Sequence, residues 1–532
     1  MSVSPEPLTF LRQRDYLILF IVGLMVALVI VSIQPVPGYM DADYYYAGGM
    51  QLASGHGFTD PFLWNYLDHP LGLPHPSNSY WYPLASIVAA GGMVLTGKIN
   101  FLSARIGFVL MAALAPLIIA ALAYRVTRKR SLALLAGFLA IFSGYYLPFI
   151  VTTDNYSLYM LVGALFFSML DRSTFPKSIF LGLLAGALNL ARGDGILWLP
   201  LAFLAVTVLS WRQSSAGSLR TRILHSVSNG FLVILGYLLV MGAWFVRNLI
   251  VFRALMPPGT GYVLWMTDYN QTFSFTPEMY TFQSWLASGL QEALKVRISA
   301  VWQNLGTAFF AEGMIFLCPL IIAGVWKSRH LLWVQLGVVG WLAMLLAESL
   351  LFPFASVRGG FFHAGTAFQP VWFALAPLGL EALFAPLTRN NKKFRKIDKL
   401  FPVLLLVIMI PFSAMLVKIR VLDSGWNEGE YLYQKANQFL VGQGARPDAI
   451  VMVRNPPAYF IMTGRQAIVV PDGDVQMLLA ASRKYKASYV ILEQIGTTSP
   501  LIDLYEHPEK YTEFSTLGVL GDNHILLIKS TP

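Results

Sequence analysis

Residues 38–58 read GYMDADYYYAGGMQLASGHGF, and 67–84 continue the same stretch as LDHPLGLPHPSNSYWYPL. It gathers Asp41, Asp43, Asp60 and Asp68 with His56, His69 and His75 and a dense set of Tyr, Trp and Pro. An uncharged apolar run, 16–33, precedes it, and a mostly apolar chain follows. Titratable residues concentrated beside apolar runs of bilayer length point to a site at the water–lipid boundary.

The composition supports that setting. Only 12% of the 532 residues are charged and 56% are hydrophobic, against about 25% charged in ordinary soluble domains. The net charge of +10 does not imply nucleic acid, because the basic residues fall where they orient a membrane protein. Cys318 is the single cysteine, so no intramolecular disulfide is available. Arg12 and Arg14 precede the first apolar run, and no small-residue cleavage site follows it. The start therefore reads as an uncleaved signal anchor.

Eleven apolar runs are candidate crossings: 16–33, 101–123, 131–150, 155–170, 178–191, 195–210, 226–247, 304–326, 331–352, 366–386 and 400–418. A twelfth, 83–97, is short for a crossing and suits a re-entrant or interfacial helix. With eleven crossings, 19 basic residues fall on one side, including Arg125-Arg128-Lys129-Arg130, Arg172 and the run 389–399. Eight fall on the other. This bias predicts a cytoplasmic N-terminus and an extracytoplasmic C-terminus in the cell membrane. Residues 1–422 form the expected transmembrane domain, with 34–100 as its first outer loop. From 423 to 532 helical spacing alternates with short buried-strand patterns (449–455, 466–472, 488–494, 524–530). That alternation predicts a small α/β domain with a largely parallel sheet.

This topology puts Asp41, Asp43, Asp154, Arg192, Asp194, Arg247, Arg358 and His363 on the outer face with the aromatic loop. The order and sidedness of these residues resemble the GT-C superfamily of polytopic glycosyltransferases, near the protein O-mannosyltransferase and aminoarabinose-transferase branch. The matching features begin with Asp41 at the exit of the first span, followed by tyrosines and a small-residue helix ending in glycine (41–57). They continue with Asp154 at the end of a later span, then Gly182, Gly186, Arg192, Asp194 and Gly195 as G-x-x-x-G-x-x-x-x-x-R-x-D-G, and Trp244, Arg247 and Asn248 as W-x-x-R-N. Many members begin the loop Asp-Glu. Here Asp41-Ala42 is followed by a second acid, Asp43, and the division of labour between the two stays open.

The resemblance implies transfer of a hexosyl or pentosyl unit, with inversion, from a polyprenyl-phosphate donor to an extracytoplasmic acceptor (protein, lipid or wall glycan). The chemistry asks for a carboxylate to take the acceptor's proton and for cations to stabilise the departing phosphate. Asp41 and Asp43 are the candidate catalytic acids, with Asp41 matching the family position. Arg192, Arg247 and Arg358 are candidate phosphate partners, and Tyr44, Tyr45, Trp81, Asp154, Asp194 and His363 are candidate substrate contacts. The sequence establishes no cofactor, but His56, Asp68 and His69 offer a candidate divalent-metal set. The competing reading is a transporter or lipid flippase, for which two related halves would be expected. No such repeat is visible. A non-catalytic scaffold would leave the acidic loop without a purpose.

Overall fold

The computed structural model describes residues 11–171, 173–213, 218–390, 400–494 and 498–529. Arg172 and residues 391–399 of the basic run, both used above to orient the chain, lie outside them. Helix α1 (Gln13–Ile33) is apolar after its first turn. One face packs on the helices Ile106–Thr127 and Arg130–Ile141. The other exposes Leu17, Met25 and Val29, each more than half accessible. A continuous surface of this kind belongs in hydrocarbon, where a helix satisfies its own backbone. At its start the buried Asp15 accepts from both Nε (2.8 Å) and a terminal nitrogen (2.5 Å) of Arg130. The segment around Arg12 and the 125–130 cluster therefore share one side of the bundle.

The chain is a polytopic helical membrane protein with a small C-terminal α/β sheet region. Among the described residues six helices are long and apolar enough to cross a bilayer, and a seventh counts if Pro353–Gly365 and Gln369–Ala385, bent by 62°, form one span. Four more of the runs expected as crossings are apolar helices of only 10–17 residues. The run 131–150 is short because its helix stops at Ile141 and the chain turns through 143–155, with Gly144 at positive φ, carrying Asp154 inward. The run 304–326 is not one helix either. It divides into Leu290–Thr307, a wide turn at Ala308–Glu312 and Cys318–Ser328, with Met314 and Ile315 at positive φ. Gly313 and Pro319 flank the break, and Pro319 opens the second helix, where its missing N–H is harmless.

Glycine sets a close helix crossing. A Cβ on Gly182 would lie 2.1 Å from the Val233 carbonyl oxygen, and one on Gly236 would lie 2.1 Å from that of Ile179. Phe175–Ala191 thus presses backbone to backbone against Leu219–Phe252, as small residues allow in membranes. The paired glycines of the sequence motif hold this crossing, and the helix they belong to delivers Arg192 and Asp194 at its end.

The expected first outer loop (34–100) holds the small-residue helix that the sequence suggests. After Tyr39, in extended backbone, α2 (Met40–Ala53) packs on α3 (Leu84–Thr96), Gly48 against Ser86 and Gly49 against Ala89. Between them, β1 (Thr59–Asp60) pairs with β3 (His75–Pro76). The pair β2 (Phe62–Leu63) joins the C-terminal sheet. That sheet has the order β2, β5 (Ala467–Val469), β4 (Ile450–Val453), β6 (Ala487–Glu493), β8 (Asn523–Ile528), β7 (Phe514–Leu520). The first four strands are parallel and the last two antiparallel. The expected largely parallel sheet is therefore mixed. The missed strand β7 forms a hairpin with β8 through Gly521-Asp522, where Gly521 supplies the positive φ of a tight turn.

Candidate active site

On the face of the bundle that carries α2 lies a cavity of about 350 Å³, within the size range of small-ligand sites. α2 contributes Asp41 and Tyr45, and the loop before α3 contributes Trp64, Tyr80, Trp81 and Tyr82. The turn after Ala191 gives Arg192 and Asp194, the segment 254–300 gives Met256, Thr260 and Tyr269, and Glu348, Arg358 and His363 close the ring. Trp64 and Trp81 stack at 3.9 Å with planes 9° apart, forming a flat apolar wall.

Asp41 and Asp43 are both in the first turn of α2, where free N–H groups favour carboxylates. Two residues on a helix are about 200° apart, so the two acids face opposite ways. Asp41 keeps 30% of its side chain open to the cavity. Asp43 is fully buried, absent from the cavity wall, and accepts from Asn455 Nδ2 at 2.8 Å. Of the two acids expected as catalytic, only Asp41 thus reaches the cavity wall. The same alternation separates the tyrosines: Tyr45 lines the cavity, while Tyr44 is buried with its hydroxyl accepting from the Asn78 N–H at 2.8 Å.

Burial, reinforced by the negative charge of Asp154, pushes the Asp41 carboxyl up to about 6, against the opposing pull of His363 and Arg192. Asp154 sits behind the wall. Burial alone would raise it, but the charge and hydrogen bond of His363, the Asn155 N–H (2.6 Å) and the Tyr39 hydroxyl (2.8 Å) hold it below the ordinary value. His363 Nε2 lies 2.9 Å from Asp154 Oδ2 and 3.6 Å from Asp41 Oδ2. Its Nδ1 donates to the Gly359 carbonyl at 2.8 Å. Nε2 therefore faces two carboxylates, with either a proton or a cation between them.

Asp41, Asp154 and His363 offer ligand atoms all within 4.8 Å of one another, a metal-competent cluster among the described residues. Two carboxylates and an imidazole whose other nitrogen is fixed by a carbonyl fit a divalent ion. The sequence-expected metal set does not converge. His56 is exposed, His69 pairs with Glu278 and Tyr262 (both 3.0 Å), and Asp68 faces His75 at 3.6 Å.

The three arginines also separate. Arg192 is committed to Asp194 (2.7 and 2.9 Å), whose other oxygen accepts from the Tyr159 hydroxyl at 2.9 Å. Arg358 lies over the Tyr269 ring at 5.0 Å and, among the described residues, makes no hydrogen bond or ion pair. Arg247 is not on the cavity wall. It donates to the Ser77 carbonyl at 2.6 Å and lies against Trp244 and Phe252, both at 4.7 Å, which pins the loop to the bundle. Sequence reasoning missed Trp64 and Tyr269. Tyr269 belongs to a segment whose length alone marked it out, while nothing local distinguishes Trp64 from its aromatic neighbours.

A multi-pass membrane bundle with an acid- and arginine-lined cavity on one face, and an α/β domain packed against the helix that carries Asp41, defines the class. Within it, the chain shares its fold with solved structures of an ArnT and of an archaeal oligosaccharyltransferase. The crystal structure of ArnT from Cupriavidus metallidurans bound to undecaprenyl phosphate superposes with a TM-score of 0.55 at 12% identity, over 97% of this chain and 98% of that one. The Archaeoglobus fulgidus oligosaccharyltransferase in its apo form gives 0.54 at 12% identity, over 93% and 70%. The A. fulgidus enzyme AglB, in complex with an inhibitory peptide and a dolichol-phosphate, gives 0.53 at 11% identity, over 92% and 70%. No protein-family model matches the sequence, and no curated protein matches it.

Proposed function

We propose that this protein is a membrane glycosyltransferase that moves a sugar from a polyprenyl-phosphate donor to an acceptor on the extracytoplasmic side of the cell membrane. The observation that carries the reading is the pairing, in one aromatic-lined cavity, of a carboxylate poised near neutrality (Asp41) with a guanidinium that no acceptor among the described residues engages (Arg358). The solved neighbours that hold undecaprenyl phosphate and dolichol-phosphate support an isoprenoid phosphate as donor.

In this mechanism Asp41 takes the proton of the acceptor hydroxyl as its oxygen bonds to the sugar C1. The bond from C1 to the phosphate oxygen breaks on the opposite face, which inverts C1, and polyprenyl phosphate leaves. A base with its pKa near the working pH suits this step. Arg358 receives the charge that develops on the phosphate, with a bidentate geometry that guanidinium allows. Arg192, held by Asp194, adds fixed positive potential beside it. Asp154 and His363 orient Asp41 from behind, and the Trp64–Trp81 stack offers a flat wall to a sugar face. Asp41, Asp154 and His363 would hold a divalent cation, which when bound supplies further positive charge for the phosphate. The cavity face is extracytoplasmic in this account and the N-terminus cytoplasmic, as the positive-charge bias favours.

The test is transfer itself. Purified protein in lipid nanodiscs, given a radiolabelled polyprenyl-phosphate sugar and a membrane extract as acceptor source, should label an acceptor and release polyprenyl phosphate. Transmembrane movement of the intact donor in proteoliposomes, with no acceptor labelled, would favour the flippase reading instead.

A further inference from the structure

The C-terminal domain grips the segment that carries Asp41. Trp426 Nε1 donates to the Val36 carbonyl at 3.2 Å, and Glu430 accepts the Gly38 N–H at 2.7 Å, just before α2 begins. β2 is an edge strand of the C-terminal sheet, and Tyr485 donates to the Pro70 carbonyl at 2.9 Å. On its other side α2 rests on α3 through Gly48 and Gly49. These contacts fix where the helix lies. Its rotation about its own axis is held by buried side chains: the Tyr44 hydroxyl accepts from the Asn78 N–H at 2.8 Å and the Tyr45 hydroxyl from the Asn155 amide at 3.0 Å, while Asp43 is the one that faces Asn455 of the C-terminal domain.

Among the described residues the Asp43 carboxylate has a single hydrogen-bond partner, Asn455, and its Oδ1 is buried with none. Asn455 can face Asp43 only with its amide nitrogen, because its Oδ1 is already used. That oxygen accepts the Ala458 N–H at 3.2 Å and caps the helix Pro456–Thr463. The Asn455 backbone N–H is in turn held by the Tyr433 hydroxyl at 3.2 Å. One amide thus joins a rigid helix start in the C-terminal domain to the first turn of α2. Because Asp41 and Asp43 point in opposite directions from that turn, whatever fixes Asp43 also aims Asp41.

We propose that Asn455 is a positioning residue: its amide, acting through Asp43, sets the rotation of α2 that directs Asp41 into the cavity. This rests on Asp41 being the base, and it makes the C-terminal domain part of the catalytic machinery. Asn455→Asp separates the two duties of the side chain. Aspartate caps a helix as well as asparagine, so the C-terminal domain keeps its fold, but the fixed amide N–H toward Asp43 is lost and two buried acids face each other. In the pair Asp43→Asn/Asn455→Asp the donor and acceptor change places and the bond returns.

The experiment measures transfer kinetics and amide hydrogen exchange on the full-length protein in nanodiscs for the wild type, Asn455→Asp and the pair. In Asn455→Asp, kcat should fall about 100-fold, the scale of a misplacement near 1 Å, with donor KM changed less than about twofold, since the cavity wall is intact. Exchange of the α2 amides should rise while that of the helix 456–463 stays unchanged. The pair should recover kcat to within about threefold of wild type and restore α2 protection. Unchanged α2 protection in Asn455→Asp overturns the proposal whether or not transfer is detected. A pair that regains α2 protection but remains as inactive as the single variant also overturns it and moves the chemistry to Asp43. Exchange behaving as expected in a protein that transfers no sugar would leave the helix anchor standing and remove the glycosyltransferase reading alone.

Discussion

Asp41 is the cavity acid on which the proposed chemistry turns, and its proton affinity can be titrated directly. With its pKa moved from 3.8 to about 6 by burial and the charge of Asp154, about nine tenths of it is protonated at pH 5. An ordinary aspartate would be less than about one tenth protonated there. Difference infrared spectroscopy of chelator-treated wild type against Asp41→Asn, titrated from pH 8 to 4, isolates the carboxyl stretch of this one residue. The signal should grow in with a midpoint near 6. Arg192 is one of the two groups that pull the value down, so Arg192→Gln should move the midpoint up. Removing that cation also leaves Asp194 uncompensated, which acts in the same direction. A base is active when ionised, so kcat/KM should fall tenfold per pH unit below the midpoint and level off above about pH 7. A wild-type midpoint at 4, or a downward shift in Arg192→Gln, would refute the electrostatic account of the cavity.

Arg358→Ala should raise the donor KM at least tenfold and lower kcat, because its guanidinium has no acceptor to serve among the described residues; unchanged donor kinetics would make it an interfacial anchor. Arg247→Ala should behave differently. Losing the bond to Ser77 and the packing on Trp244 should lower the thermal midpoint in detergent with donor KM nearly unaffected, and a large KM effect would return Arg247 to the site. Gly182→Val places side-chain atoms on a backbone that already meets Val233 at 2.1 Å from the ideal Cβ. Overpacking typically costs about 1–3 kcal/mol, so the protein should unfold at lower temperature and lose activity as the Arg192–Asp194 turn shifts. Wild-type stability in that variant would contradict the close helix crossing.

The apolar runs were legible because a chain in hydrocarbon must satisfy its backbone within each segment, which leaves long uncharged stretches in the sequence. Their interruptions were less so. Gly313 and Pro319 divide the run 304–326, yet proline and glycine are tolerated in membrane helices and do not announce a break. The site was partly legible. Asp41, Tyr45, Trp81, Arg192, Asp194, Arg358 and His363 converge on the cavity, and Asp154 supports it from behind. Asp43, Tyr44 and Arg247 lie off the cavity wall for a common reason: residue type and sidedness identify candidates, whereas helical phase and local packing decide which way a side chain points. Phasing the helix from Met40 sets Asp41 against Asp43. The union of β2 with the C-terminal sheet lay beyond pattern reading, because two residues carry no periodicity. The cluster of Asp41, Asp154 and His363 spans 322 positions of sequence and exists only after the bundle has folded.

The central claim is that the Asp41 carboxylate drives sugar transfer in this cavity, and Asp41→Asn tests it most directly because asparagine keeps the shape and removes the base. Turnover of a radiolabelled polyprenyl-phosphate sugar should fall by at least about 100-fold, the scale of a lost general base. Binding of the same donor, measured on the same preparation, should stay within a few-fold of wild type. Undiminished transfer by a folded Asp41→Asn protein would contradict the account.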